Sequence, residues 1–119
     1  MNYASAIENL KEVIEKNLNQ NKASDIVTID LKKKTSIADY MIVASGTSSR
    51  HLQSLSENLV SELKKIGIDN ARIEGKHSDE WKLVDALDII IHLFHPQKRK
   101  FYDLEKIWHE PLISEKISI

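Results

Sequence analysis

Apolar residues recur at three- and four-residue intervals near the start of the chain: Ile7, Leu10, Val13, Ile14 and Leu18, with Glu8, Lys11, Glu12, Glu15 and Lys16 between them. One apolar stripe on a charged cylinder predicts an amphipathic helix. Asn2 or Ser5 would cap it, and the polar run from Asn17 to Lys22 would end it. From Asp25 to Leu31 the period changes to two. Val27, Ile29 and Leu31 point one way, Ile26, Thr28 and Asp30 the other, which predicts a strand. Lys32-Lys33-Lys34 then forms a solvated turn. Tyr40 to Ala44 is a short continuous apolar run with a β-branched pair, Ile42 and Val43, and reads as a strand buried on both faces.

A second stripe, Leu52, Leu55, Leu59, Leu63 and Ile66, follows Gly46-Thr47-Ser48-Ser49. Thr47 or Ser48 is a natural N-cap and Gly67 a natural stop, so this is the best-marked helix. Ala71 to Glu74 is a short strand closed by Gly75. Trp81 to Asp85 and Asp88 to Phe94 are two strands separated only by Ala86 and Leu87, hence an antiparallel hairpin. Pro96 ends the last strand, residues 98–108 read as a final short helix, and the segment after Pro111 as a loose tail. The order αββαβββα predicts a single α/β domain on a mixed five-stranded sheet. Residues 1–24 supply the N-terminal helix and loop, and residues 109–119 the tail.

The apolar surface does not balance across that sheet. Two long helices cover one face, yet the last two strands are apolar on both: Ile89, Ile91 and Leu93 on one side, Ile90 and Phe94 on the other. Trp81 and Leu83 share a face, with Val84 opposite. Only the short C-terminal helix remains to cover the second face. Five aromatics, Trp81, Phe94, Phe101, Tyr102 and Trp108, fall in the last third of the chain. The bland outcome is that the final helix buries them all. The expectation here is instead a partly exposed binding face. Glu74, Asp79, Glu80, Asp85, Asp88, Asp103 and Glu105 border it, an acidic rim suited to a basic protein partner.

Composition narrows the function. Seventeen basic against eighteen acidic side chains give a formal charge of −1 over 119 residues. A protein that tracks a phosphate backbone usually carries a basic stripe, so extended nucleic-acid binding is disfavoured. Zero cysteines exclude disulfides, thiol nucleophiles and zinc–thiolate sites. No apolar run reaches the ~18 residues of a membrane span. The first residues lack the features of a signal peptide or presequence, which points to a bacterial cytoplasm.

Candidate chemistry is sparse. Gly46-Thr47-Ser48 between a strand and a helix could hold a phosphate, though plain capping explains the same residues. Metal-assisted nucleotidyl transfer would want carboxylates at alternate positions of one strand, and no such pair exists. His92 and His95, three apart, fall on opposite sheet faces. His51 sits in the first turn of the second helix and His77 in a loop. None has metal-pair spacing, and His92 is expected to be partly buried and hydrogen-bonded. No serine elbow is present. No catalytic residue, metal ligand or cofactor site is predicted.

Gly75, Trp81, Leu83, Asp85, Asp88, His92, Arg99, Tyr102, Leu104, Glu105 and Trp108 together resemble the signature of the Iojap family, the ribosomal silencing factors (RsfS). Asp30-Leu31, Ala38-Asp39-Tyr40, Ala44-Ser45-Gly46 and Ser49-Arg50-His51 extend the likeness, which runs from Asp25 to Trp108 and leaves out the tail after Pro111. The resemblance implies a nucleotidyltransferase-like fold without its catalytic carboxylates. It also implies a non-enzymatic role: binding a basic large-subunit ribosomal protein, the fourteenth of the L series, at the intersubunit face. That would block subunit joining and lower translation, and family members are often dimeric when free. Trp81, Leu83, His92 and Tyr102 would then be apolar or hydrogen-bonding contacts, with Glu74, Asp85 and Glu105 as acidic complements and Arg99 paired internally. One departure stands out: the family's hairpin usually has glycine before its second aspartate, where this chain has Leu87. The alternatives are a nucleotide-binding enzyme using the Gly46-Thr47 loop, and a dimeric adaptor whose aromatic face is its self-association surface.

Overall fold

The computed structural model describes residues 3–75 and 80–97. Helix α1 spans Tyr3–Gln20, strand β1 Ser24–Asp30, β2 Tyr40–Ser45, helix α2 Ser49–Lys65, and strands β3 Arg72–Glu74, β4 Trp81–Asp85 and β5 Ile89–Phe94. They form one five-stranded sheet ordered β1-β2-β5-β4-β3. Only β2 and β5 run parallel; the other pairs are antiparallel, so the sheet is mixed as expected. The predicted helix over residues 98–108, with Arg99, Tyr102, Glu105 and Trp108, lies outside the described residues.

Both helices pack on one face because their stripes match it. Ile7, Leu10, Ile14 and Leu18 of α1 join Leu52, Leu55, Leu59 and Leu63 of α2 over Ile42, Ala44, Val84, Ile89, Ile91 and Leu93. Most of these side chains have no solvent exposure. The interior strand β2 is buried along its whole length, as a run apolar on both faces requires.

The ends of α2 follow from their residues. Ser48 Oγ accepts from the His51 amide at 3.0 Å, a side-chain N-cap. At the other end Gly67 has φ +96°, the Ile68 amide donates to Leu63 O at 2.9 Å, and the Gly67 amide to Lys64 O at 3.1 Å. That pair of bonds is a Schellman cap. Ile66, expected on the buried stripe, is instead 48% exposed. It is the C-cap residue, already off the helical path, so its side chain leaves the stripe and Ile68 packs on the core in its place.

Two further details depart from the pattern. Helix α1 runs on to Gln20 through the polar segment expected to end it. Asn17 is buried there, and its amide donates to Asn58 Oδ1 on α2 at 3.1 Å, so a polar residue serves the helix–helix contact. Strand β1 slips register between Ser24 and Val27, with Asp25 at φ +49°, which is a bulge. Edge strand β3 is only three residues long.

The hairpin between β4 and β5 is strained at Leu87, the position where the family usually has glycine. Its φ is +69°, and the Asp88 amide donates to Ala86 O at 3.0 Å. A positive φ closed by an i to i+2 bond is the rarer, strained form of γ-turn. Asp85 Oδ1 accepts from the Leu87 amide at 2.9 Å and holds the turn. From outside, the Tyr3 hydroxyl donates to Asp88 Oδ1 at 2.6 Å, and that bond pushes the phenol up to about 12.

Candidate functional site

The sheet face away from the helices is built by strand alternation. Ile73 and Val84 pack on the helix side, so Arg72 and Glu74 of β3 and Trp81, Leu83 and Asp85 of β4 project the other way. Pairing sets Trp81 opposite Phe94, Leu83 opposite His92, Glu74 opposite Leu83 and Arg72 opposite Asp85. Glu74, Trp81, Leu83, Asp85 and His92, singled out from sequence, therefore share one face. Tyr102 and Glu105 lie outside the described residues.

The face is graded rather than open. A buried cluster of Ile29, Leu31, Ala38, Met41, Val43 and Phe94 occupies it, with Val27, Trp81 and Ile90 packed alongside. Leu31 and Ala38 belong to the connection between β1 and β2, so the final helix is not the only cover available, contrary to expectation. They bracket the lysine turn, and their apolar side chains fold back while the lysines stay outside. Phe94, expected to be partly exposed, is 2% exposed. Trp81, Leu83 and His92 are half-buried.

The aromatic contacts have defined geometry. The Trp81 ring centroid lies 6.3 Å from that of His92 and 6.4 Å from that of Phe94, tilted by 32° and 34°. The His92 and Phe94 rings are parallel to within 5° at 5.8 Å. These spacings suit aromatic packing. Gly75, at φ +78°, makes room for the indole: a Cβ there would meet the Trp81 ring at 2.8 Å. The Trp81 indole N–H donates to His92 Nδ1 at 3.3 Å. Burial pushes the His92 imidazole down to about 4, so at neutral pH it is uncharged. With Nδ1 accepting, Nε2 carries the proton, and the pair offers a polar edge on an apolar ground.

The acidic rim is partly spoken for. Asp85 holds the turn and lies 3.4 Å from the Arg72 guanidinium, a cross-strand pair that the sequence reading missed. Its signal was the spacing that sets Arg72 opposite Asp85 once β3 and β4 pair. Arg72 is largely exposed, so the bond is weak, yet it sets a positive charge beside Asp85 on the rim. Glu74 remains exposed.

The Gly46-Thr47-Ser48 loop is otherwise occupied. The Gly46 amide donates to Phe94 O, the Thr47 amide to His51 Nδ1 at 3.0 Å, and the His51 amide to Ser48 Oγ. His51 Nε2 lies 2.9 Å from Asn21 O, so this histidine braces the loop against the end of α1. Amides already paired within the fold are not offered to a phosphate. Among the described residues no group of three or more His, Cys, Asp or Glu could hold a metal ion.

The sequence matches, over residues 4–118, the family described as ribosomal silencing factor during starvation. The chain belongs to that family. The matched span takes in residues 112–118, which the motif resemblance had left out. A ribosomal silencing factor of Zymomonas mobilis is 44% identical over 85% of this chain and 76% of its own. A mouse relative named mitochondrial assembly of ribosomal large subunit protein 1 is 38% identical over 76% of this chain but only 41% of its own. A crystal structure from Chromobacterium violaceum superposes with a TM-score of 0.83 at 37% identity, covering 87% of this chain and 86% of that one. The α/β fold of the silencing factors is thus the fold found here. No described helix is long and apolar enough to cross a membrane.

Proposed function

We propose that this chain is a non-enzymatic factor that binds the large ribosomal subunit at its intersubunit face and blocks joining of the small subunit, repressing translation. The observation that carries the reading is the shared outer face of β3, β4 and β5. Half-buried Trp81 and Leu83 lie beside the uncharged His92 there, and Glu74 is exposed at the rim. An apolar centre with an acidic border suits a basic ribosomal protein, with Asp85, Tyr102 and Glu105 completing the contact. The family name and the large-subunit name of the mouse relative support the ribosomal setting. The L-series protein named by the resemblance is the partner of choice, in the cytoplasm and without a cofactor. A free pool would pair through the same face.

The mechanism is steric. A standard interface removes ~800 Å² per partner from water, against 7405 Å² exposed on this chain. Occupation of such an area alone prevents docking of a second body. Pelleting through a sucrose cushion should carry the protein with large subunits only, and purified protein should slow subunit reassociation. Co-migration with small subunits, or free protein throughout, would overturn the reading. Titration with magnesium nucleotide should show no saturable micromolar binding.

A further inference from the structure

Strand β4 carries one buried lysine. Lys82 shares the helix-covered side with Val84, opposite Leu93, where the neighbours are aliphatic, and it is only 2% exposed. A buried ammonium is costly unless hydrogen-bonded. Its Nζ donates to Gly75 O at 2.8 Å. Among the described residues the β3–β4 ladder ends at the Glu74–Leu83 pair, and this bond ties Lys82 to the residue that follows β3. Gly75 is also the residue whose missing Cβ leaves space for the Trp81 ring, at a φ of +78° that favours glycine.

We propose that Lys82 is a positioning residue for the aromatic face. From the helix side it holds Gly75 in the conformation that seats the indole on the other side. The indole is then already directed at His92 Nδ1 before a partner arrives. A partner meeting a pre-set ring loses less entropy on binding than one that must order it. This rests on the partner-binding reading of that face, and it adds a residue that would never touch the partner.

The test separates positioning from folding. Lys82→Met removes the donor but keeps the apolar stem, and replacing a buried charge by an apolar side chain is often neutral or stabilising. In the full-length protein the Trp81 indole N–H resonance, assigned by its disappearance in Trp81→Phe, should shift and broaden in Lys82→Met. Affinity for large subunits should fall about tenfold, the scale of one charge-assisted hydrogen bond. Lys82→Arg, which keeps a donor, should restore both. If Lys82→Met does not fold, Lys82→Leu is read instead and should give the same shifted resonance and weaker binding. An unmoved resonance with wild-type affinity in the folded variant overturns the proposal, as does failure of Lys82→Arg to restore either quantity. Wild-type protein that fails to sediment with large subunits overturns the functional reading, and the resonance alone then decides the role of Lys82.

Discussion

The two faces of the sheet are made from the same strands and end in different states. Beneath the helices, Leu59, Leu63, Ile89, Ile91 and Leu93 have no solvent exposure, and each finds an aliphatic partner. Across the sheet, the β1–β2 half is sealed by Leu31 and Ala38, while the β4–β5 half keeps Trp81, Leu83 and His92 half-buried. Aliphatic stripes of matching period close on themselves, leaving nothing for another molecule. Aromatic and imidazole side chains on a short hairpin keep an edge and a hydrogen-bonding atom in reach of one.

The contrast can be attacked in order of expected size. Leu59→Ala should cost roughly 2–5 kcal/mol of unfolding free energy by urea denaturation, since it hollows the sealed face. A cost below about 1 kcal/mol would mean that face is loosely packed. Acid should act next, and mainly through the other face. His92 titrates near 4 when folded, below its ordinary value, so between about 4 and 6.5 the unfolded chain binds the extra proton and stability falls as pH falls. By pH 4 the loss from this group reaches up to about 3 kcal/mol. Glu8 adds to it at lower pH. Its carboxyl is held below the usual range by Lys11 and then Tyr40, so its contribution disappears as pH drops through the folded value. Melting temperatures recorded from pH 7 to 4 should show the decline, and His92→Gln should flatten its upper part.

Trp81→Ala sharpens the comparison most directly. Binding to large subunits should weaken about thirtyfold, the ~2 kcal/mol of a hot-spot aromatic. Its unfolding free energy should drop by less than that of Leu59→Ala. Parallel losses of both would assign the indole to the core. The smallest effect is at the turn: Leu87→Gly should raise stability by about 1 kcal/mol, because glycine tolerates the positive φ at which Leu87 is held. Calorimetry of the two proteins at one pH decides it.

Much of this architecture was legible from residue order because period and punctuation agreed. The stripes of α1 and α2, the doubly apolar β2, the Ser48 cap and the Gly67 stop each follow from local chemistry. Misjudgements came where a distant contact prevailed. Asn17 is polar, so it read as a helix end, yet Asn58 on another helix gives it a partner. Phe94 read as half-exposed because only the strand register sets Trp81 opposite it, and the Trp81 and His92 rings then pack against it. For the site, alternation was enough to gather Trp81, Leu83 and Asp85 on one side. Register was needed to add Arg72 and Gly75, and burial to reveal Lys82 beneath them.

Both rims of the sheet are blunted. At one, β3 is only three residues long; at the other, the kink at Asp25 turns β1 out of line. Neither gives a flat template on which a second molecule could lengthen the sheet. Crowded copies of this protein are thereby steered away from fibrous, strand-on-strand stacking, and whatever they associate with must meet them broadside.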